Sequence, residues 1–159
     1  MKAPLSSSFN RTLLNVWIGM CRGWPGLPRQ LREWGYADRW IDHRFPNQDR
    51  EPVHPDLIIA SEAKANTLLL EFKSGANADE DQLRRDSRVC SDDLVRGALM
   101  RPTETAGHDV VVIGYSDNAE RLRIGLDAGP YPFPLLGVAP WLVTRNMPLA
   151  SKSEQLASV

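Results

Sequence analysis

The fold of this chain is decided by two short stretches, His54-Pro55-Asp56-Leu57-Ile58-Ile59-Ala60 and Thr67-Leu68-Leu69-Leu70-Glu71-Phe72-Lys73. Each contains a nearly continuous apolar run, which is typical of a strand buried on both faces of a sheet. Charge stands at only one end of each run: Asp56 opens the first, and Glu71 and Lys73 close the second. Because a short polar turn separates the runs, we expect an antiparallel hairpin that brings the three charged residues to one edge of a sheet.

The remaining elements extend outward from this hairpin. The predicted helices cover 11–20, 29–34 and 79–100, and the other predicted strands cover 37–45 (an edge strand), 108–115, 121–126 and 141–143. We expect residues 46–55 to form a loop. A long helix between two buried strands implies a crossover connection, which predicts a mixed sheet with helices on both faces. The sequence therefore predicts an α/β fold with a mixed β-sheet core flanked by helices, in the order αβββαβ.

Length and composition favour one compact domain. The chain has 159 residues, of which 42% are hydrophobic and 25% are charged, as in ordinary globular proteins. We assign the domain to residues 1–149 and expect a flexible tail over 150–159. Cys21 and Cys90 form no CxxC pair, so we interpret them as reduced thiols. The N-terminal segment lacks the apolar run of a signal peptide or a membrane span, which predicts a cytoplasmic protein without a membrane partner.

Charge is unevenly distributed along the chain, although the net charge is only −1. Residues 1–50 contain eight Lys or Arg and four acids, whereas residues 51–101 contain seven and ten. A basic segment beside an acidic one is compatible with a nucleic-acid-binding face next to a metal site. A scattered, arginine-rich surface produces the same distribution, so both interpretations stay open.

The charged ends of the two central runs form the candidate site. Residues alternate between the faces of a strand, so Glu71 and Lys73 point to one face and Phe72 to the other. Mg²⁺ prefers oxygen ligands, commonly one or two carboxylates with water and substrate phosphate. Asp56 and Glu71 can supply the carboxylates, and the Phe72 carbonyl a third oxygen. Lys73 can orient or deprotonate the attacking water, or balance the charge of the phosphate.

Pro55-Asp56, fourteen further residues and Glu71-Phe72-Lys73 resemble the motif of the PD-(D/E)xK nuclease superfamily. The element order over residues 8–115 resembles that superfamily's restriction-endonuclease-like core. The resemblance implies a metal-dependent nuclease that hydrolyses phosphodiester bonds, more often of DNA than of RNA. It implies that Asp56 and Glu71 bind Mg²⁺ or Mn²⁺ and that Lys73 is the catalytic lysine. A chain of this length has no separate recognition domain, so we expect a homodimer or a subunit of a larger complex.

Five other residues are candidates for supporting roles. Many members of the superfamily carry an upstream acid on the first helix, for which Glu33 is the first candidate and Asp42 the second. Gln82 resembles a position at which some subfamilies place a functional glutamine. Arg84 and Arg88 share a face of the helix after the motif and can bind phosphates. Pairing with nearby acids on a solvated helix is an equal alternative for both arginines.

Structural and non-catalytic interpretations remain open as well. Asp56 follows a proline before a strand, which is a common turn pattern, and Glu71 with Lys73 can form a surface ion pair. The functional alternative is a catalytically silent restriction-endonuclease-like subunit or docking module in a larger nucleic-acid-processing assembly. The modest net charge and the lack of a well-placed upstream acid favour such a subunit, whereas the intact set of Asp56, Glu71 and Lys73 argues against it, since a silent site has no chemical reason to keep all three.

Tryptophans and histidines offer a weaker set of candidates. Trp24, Trp34 and Trp40 lie among arginines and can stack on nucleobases, or they can simply pack against the core. His43, His54 and His108 show no zinc-ligand spacing with the cysteines. His54 flanks Asp56, for which a loop or capping role is the alternative to a role in the site.

Overall fold

The computed structural model describes residues 8–75, 77, 79–127, 129, 133 and 135–138. Helices α1 to α5 are, in chain order, Ser8–Arg22, Gln30–Glu33, Glu80–Asp86, Ser91–Gly97 and Ala119–Asp127. Strands β1 to β7 are Tyr36–Ile41, Phe45–Pro46, Pro52–Val53, Leu57–Ser61, Asn66–Lys73, Gly107–Tyr115 and Leu135–Val138. Short 3-10 helices cover Pro102–Glu104 and Ser116–Asn118.

A five-stranded mixed sheet with the order β1-β4-β5-β6-β7 forms the centre of the fold. Strand β4 pairs antiparallel with both β1 and β5, whereas β6 pairs parallel with both β5 and β7. The parallel step from β5 to β6 runs through α3 and α4, so the predicted crossover is confirmed. Strands β2 and β3 form a separate two-stranded sheet. The prediction of an α/β fold with a mixed, helix-flanked sheet is confirmed at this level.

The central hairpin is buried on both faces, as the two apolar runs predict. Leu57 pairs with Leu70, and both pack in the core cluster that contains α1 residues such as Trp17. Ile58 pairs with Leu69 on the other face, in the cluster that contains residues of α4. Burial of each of these side chains contributes roughly 1.5–3 kcal/mol, so the hairpin contributes strongly to the stability of the sheet.

The predicted helix at 79–100 is wrong, because two helices, α3 and α4, occupy that range. Ser87 ends α3, and its Oγ donates a hydrogen bond to the Arg84 carbonyl. A new N-terminus then begins at Cys90, whose backbone N–H donates to the Asp93 carboxylate at 2.9 Å. Acidic residues in the first turn of α4 stabilise that second start through the helix dipole.

The predicted strand at 121–126 is also wrong, because the segment lies within helix α5. Its residues alternate in polarity, but Ala119, Leu122 and Leu126 also follow helical spacing and are the buried side chains of α5. The tertiary contacts of Leu122 and Leu126 with the third core cluster decide in favour of the helix.

The predicted edge strand at 37–45 ends at Ile41, and the predicted loop at 46–55 contains part of the small β2-β3 sheet. The positive φ of 77° at Gly35 ends the α2 region as its position suggests. The strand predicted at 141–143 and the tail at 150–159 lie outside the described residues. No helix in the described part of the chain is long and apolar enough to cross a membrane.

Candidate active site

Asp56 and Glu71 lie at the same end of neighbouring strands. Asp56 directly precedes Leu57, which pairs with Leu70, and Glu71 directly follows Leu70. Both acidic residues are only 1% exposed. The Asp56 carboxylate is held against β5, because its Oδ2 accepts a hydrogen bond of 2.7 Å from the Phe72 backbone N–H. The Phe72 position thus orients Asp56 through its amide.

Gln82 of α3 connects Glu71 to Lys73. Its Nε2 donates a hydrogen bond of 2.5 Å to Glu71 Oε2, and its Oε1 accepts one of 2.7 Å from Lys73 Nζ. The Lys73 ammonium lies 3.9 Å from Glu71 Oε2, and its side chain is 14% exposed. Asp56, Glu71, Lys73 and Gln82 therefore gather in one largely buried place; we call these four residues the acid–lysine cluster.

The start of α3 explains why Gln82 reaches the two strands. Asp79 is the N-cap residue, and its carboxylate accepts a hydrogen bond of 3.1 Å from the Gln82 backbone N–H. Leu83, the next residue, is buried in the cluster that contains Val112 of β6. A cap on one side of the turn and an apolar anchor on the other fix the first turn of the helix over β5.

The sequence places Gln82 among the candidates for supporting roles and does not predict its contact with both Glu71 and Lys73. A signal was present, since Asp79-x-x-Gln82 has the spacing of a capping box and marks a helix start. In a complete capping box the glutamine side chain reaches back to the cap residue. Here both polar atoms of the side chain are instead used by Glu71 and Lys73.

Arg84 and Arg88 are engaged with acids of the β2-β3 connection. Arg84 forms two hydrogen bonds with Glu51, at 2.8 and 2.9 Å, and Arg88 Nη1 lies 2.6 Å from Asp49 Oδ2. The hydrogen bonds from Arg84 lower the pKa of the Glu51 carboxyl. Of the two alternatives for these arginines, the structure favours pairing with acids, which for Arg84 also include Asp81 of α3 at 3.9 Å. The expectation that both arginines share a helix face is wrong, because α3 ends at Asp86, before Arg88.

The two candidates for an upstream acid lie in different places. Glu33 precedes Trp34, whose carbonyl accepts a hydrogen bond of 2.6 Å from Ser61 Oγ. Ser61 is the last residue of β4, so Glu33 lies at the opposite end of that strand from Asp56. Asp42 lies at the Asp56 end, since its backbone N–H donates a hydrogen bond of 3.0 Å to the Asp56 carbonyl.

The histidines have structural partners. His54 Nε2 lies 2.9 Å from Asp42 Oδ1 and 3.0 Å from the Asp42 carbonyl oxygen. His43 and His108 pair through Nε2 with backbone carbonyls, those of Gly97 and Val89. His54 thus lies beside the Asp56 end of the sheet, bound to Asp42.

The carboxylates of Asp56 and Glu71 suit a hard cation that also binds water and substrate. Within the described ranges, no group of three or more His, Cys, Asp and Glu side chains is arranged to hold a metal ion. Asp56 and Glu71 nevertheless supply two carboxylates at one strand end, and Mg²⁺ commonly binds one or two carboxylates with water and substrate phosphate. The pair fits a hard cation completed by solvent and substrate, and it does not fit an all-protein cage.

Comparison with known proteins assigns the chain to a family. Residues 10–127 match the family model described as the MJECL32 domain. The match runs from α1 to the end of α5 and includes the whole acid–lysine cluster. No curated protein and no solved structure matches the chain. Since the matched residues make up most of its length, the chain belongs to the MJECL32 domain family.

Proposed function

We propose that this protein is a metal-dependent nuclease of the restriction-endonuclease-like fold that hydrolyses phosphodiester bonds. The observation that carries the proposal is the acid–lysine cluster. Two carboxylates and an ammonium lie together on buried strand ends, in the order and spacing of the PD-(D/E)xK motif. DNA is the proposed substrate, because the superfamily that the motif resembles acts more often on DNA.

Asp56 and Glu71 would hold Mg²⁺ or Mn²⁺, with the Phe72 carbonyl as the proposed third oxygen ligand. When bound, the ion supplies Lewis-acid chemistry at the phosphodiester. The hydrogen bond from the Phe72 N–H fixes the orientation of the Asp56 carboxylate before any ligand arrives. Such preorganisation reduces the reorganisation that substrate binding would otherwise require.

We propose that Lys73 acts on the attacking water or on the phosphate. Its ammonium is held at 2.7 Å by Gln82 Oε1 and stands beside the Glu71 carboxylate. In this position the ammonium can orient a water molecule or compensate charge on the phosphate. Because lysine carries a compact charge on a flexible stem, it can serve both roles where arginine's rigid fork cannot.

The test is cleavage of labelled duplex, single-stranded and branched DNA and of RNA, with Mg²⁺ or Mn²⁺ and with EDTA. The variants are Asp56→Asn and Lys73→Met, which approximately keep side-chain volume. Lys64→Met is the matched control, because Lys64 lies in the β4–β5 turn, at the opposite end of the hairpin. We expect metal-dependent cleavage that both site variants lose and the control keeps, with thermal unfolding confirming that all variants fold.

A folded wild-type protein that cleaves none of these substrates would overturn the nuclease proposal. It would favour the catalytically silent subunit or docking module instead. The pairing of Arg84 with Glu51 and of Arg88 with Asp49 is the observation that supports this second candidate, because it occupies cations expected to bind phosphate.

A further inference from the structure

Trp40 and His43 form an aromatic pair at the edge of the sheet. Their ring centroids are 4.8 Å apart and the rings are tilted by only 22°, so the rings stack. Trp40 Nε1 donates a hydrogen bond of 2.6 Å to the Ala98 carbonyl, and His43 Nε2 lies 3.1 Å from the Gly97 carbonyl. Both rings are therefore anchored on the C-terminal end of α4, and yet Trp40 stays 37% exposed.

The aromatic pair lies on the same face of the sheet as the acid–lysine cluster. Trp40 pairs with Ile58, Ile58 pairs with Leu69, and paired residues point to the same face. Glu71 follows Leu69 by two positions on its strand and so shares this face. Asp56 precedes Ile58 by two positions and so lies on this face as well.

The aromatic pair is also close to the cluster. Trp40 pairs with the residue two positions beyond Asp56. With about 3.3 Å per residue along a strand and about 4.8 Å between strands, its Cα lies about 8 Å from that of Asp56. The same spacings put it about 12 Å from Glu71, two strands away. A nucleotide next to a phosphate at the cluster can reach the indole over these distances.

Charges of both signs lie next to the aromatic pair in the chain: the Asp42 carboxylate, which is paired with His54, and the cation of Arg44. Arg44 follows His43, is exposed, and forms no ion pair with any residue that the structure describes. The cation of Arg39, by contrast, is already paired with the buried Glu104 carboxylate. Arg44 thus offers a cation for a phosphate beside two stacked rings.

We propose that the Trp40 indole, backed by His43 and by Phe45 behind it, binds an unpaired nucleobase by stacking, so that the substrate of the acid–lysine cluster is single-stranded or frayed nucleic acid. This inference rests on the proposed nuclease function and names its substrate class. A base inside a duplex is stacked on both sides and paired at its edge, so it cannot extend the Trp40–His43 stack, whereas an unpaired base can. Trp24 is similarly exposed, at 45%, but packs against Gly19 of α1 and shares no strand with the cluster.

The first experiment measures binding without catalysis. Fluorescence anisotropy of a labelled single-stranded oligonucleotide in EDTA compares wild type with Trp40→Leu, Trp40→Phe and the control Trp24→Leu. Base–aromatic stacking predicts a loss of about 5- to 150-fold in affinity for Trp40→Leu. Trp40→Phe keeps a ring and should keep most of the affinity, and Trp24→Leu should match wild type. An oligonucleotide of abasic sites should bind wild type more weakly than its thymidine counterpart by a similar factor.

The outcomes separate this inference from the nuclease proposal. Trp40-dependent binding of single strands by a protein that cleaves nothing with metal would support the stacking site and overturn the nuclease. If the wild-type protein cleaves nucleic acid and the Trp40→Leu and Trp24→Leu variants bind the oligonucleotide equally well, the nuclease proposal stands and the stacking site is overturned. Equal binding of the abasic and thymidine oligonucleotides, or no binding by wild type, would also overturn the stacking site.

Discussion

The bridge made by Gln82 can be tested through the free energy that couples it to Lys73. Gln82 Oε1 accepts a hydrogen bond of 2.7 Å from Lys73 Nζ, and Gln82 is only 8% exposed. A hydrogen bond with one charged partner contributes about 1.5–3 kcal/mol to stability. Gln82→Leu and Lys73→Met each remove this same bond. We therefore expect the double variant to be less destabilised than the sum of the single variants, by about 1.5–3 kcal/mol.

Urea unfolding at one pH, followed by tryptophan fluorescence, gives the four free energies of this cycle. A second cycle combines Gln82→Leu with Lys64→Met. Lys64 lies at the opposite end of the hairpin, with its Nζ 5.9 Å from the centre of the Trp34 ring. The effects in this control should add to within about 0.5 kcal/mol. If the coupling of Gln82 and Lys73 is also within 0.5 kcal/mol of zero, the argument that Gln82 holds the lysine is wrong.

Three further predictions concern the scaffold around the cluster. Gly114→Ala should lower the free energy of unfolding by about 1–3 kcal/mol, because the new methyl overlaps Leu122 Cδ1. The matched variant Gly125→Ala places its methyl in open space on α5 and should raise the free energy of unfolding by up to about 1 kcal/mol. Thermal melts compare the two, and equal shifts would contradict the packing. Asp79→Ala removes the N-cap bond of α3 and should cost about 0.5–2 kcal/mol in the same assay. Burial raises the pKa of the Cys21 thiol from 9.0 to about 12. As the pH rises, the thiol therefore ionises in the unfolded chain before it does in the folded protein, and the free energy of unfolding should fall above pH 9. Urea titrations at pH 8 and pH 10 measure this fall, which should be smaller in Cys21→Ala than in wild type.

The parts of the fold that could be predicted are those in which burial leaves a one-dimensional pattern. Leu57 to Ala60 and Leu68 to Leu70 are apolar at every position, which is typical of strands covered on both faces, and the structure has them so. Helix α1 likewise buries Leu13 and Trp17 at helical spacing. These elements form the layers around which the others are arranged.

The errors arose where local patterns compete. Residues 79–100 contain enough apolar positions for one helix, and only the capping of Cys90 by Asp93 shows that a second helix starts there. Residues 121–126 satisfy both a period of two and a helical period, and packing of Leu122 and Leu126 chooses between them. A short polar-apolar alternation cannot exclude a helix when its apolar residues are also three or four apart.

The part of the site that could be predicted from the sequence is the part that strand pairing positions. Antiparallel pairing of the two runs brings Asp56, Glu71 and Lys73 to one edge, and the structure has them there. The place of Gln82 depends instead on how α3 crosses the sheet, which no residue spacing reveals. The distance of Glu33 from Asp56 has the same cause, since it depends on the packing of α2 against the far end of β4.

Folding alone gives no reason for two buried carboxylates at the ends of these two central strands. Asp56 and Glu71 continue the faces that Ile58 and Leu69 fill with apolar side chains, and both acids are 1% exposed. A buried carboxylate loses its hydration, and even a well-paired buried ion pair is often no more stabilising than an apolar residue of similar volume. Hydrogen bonds from the Phe72 amide and Gln82, together with the Lys73 ammonium beside Glu71, offset part of this cost. Under the proposed function, a cation or a substrate would bind these oxygens and account for their presence, whereas a docking module that binds neither would keep two buried carboxylates that serve no chemical role.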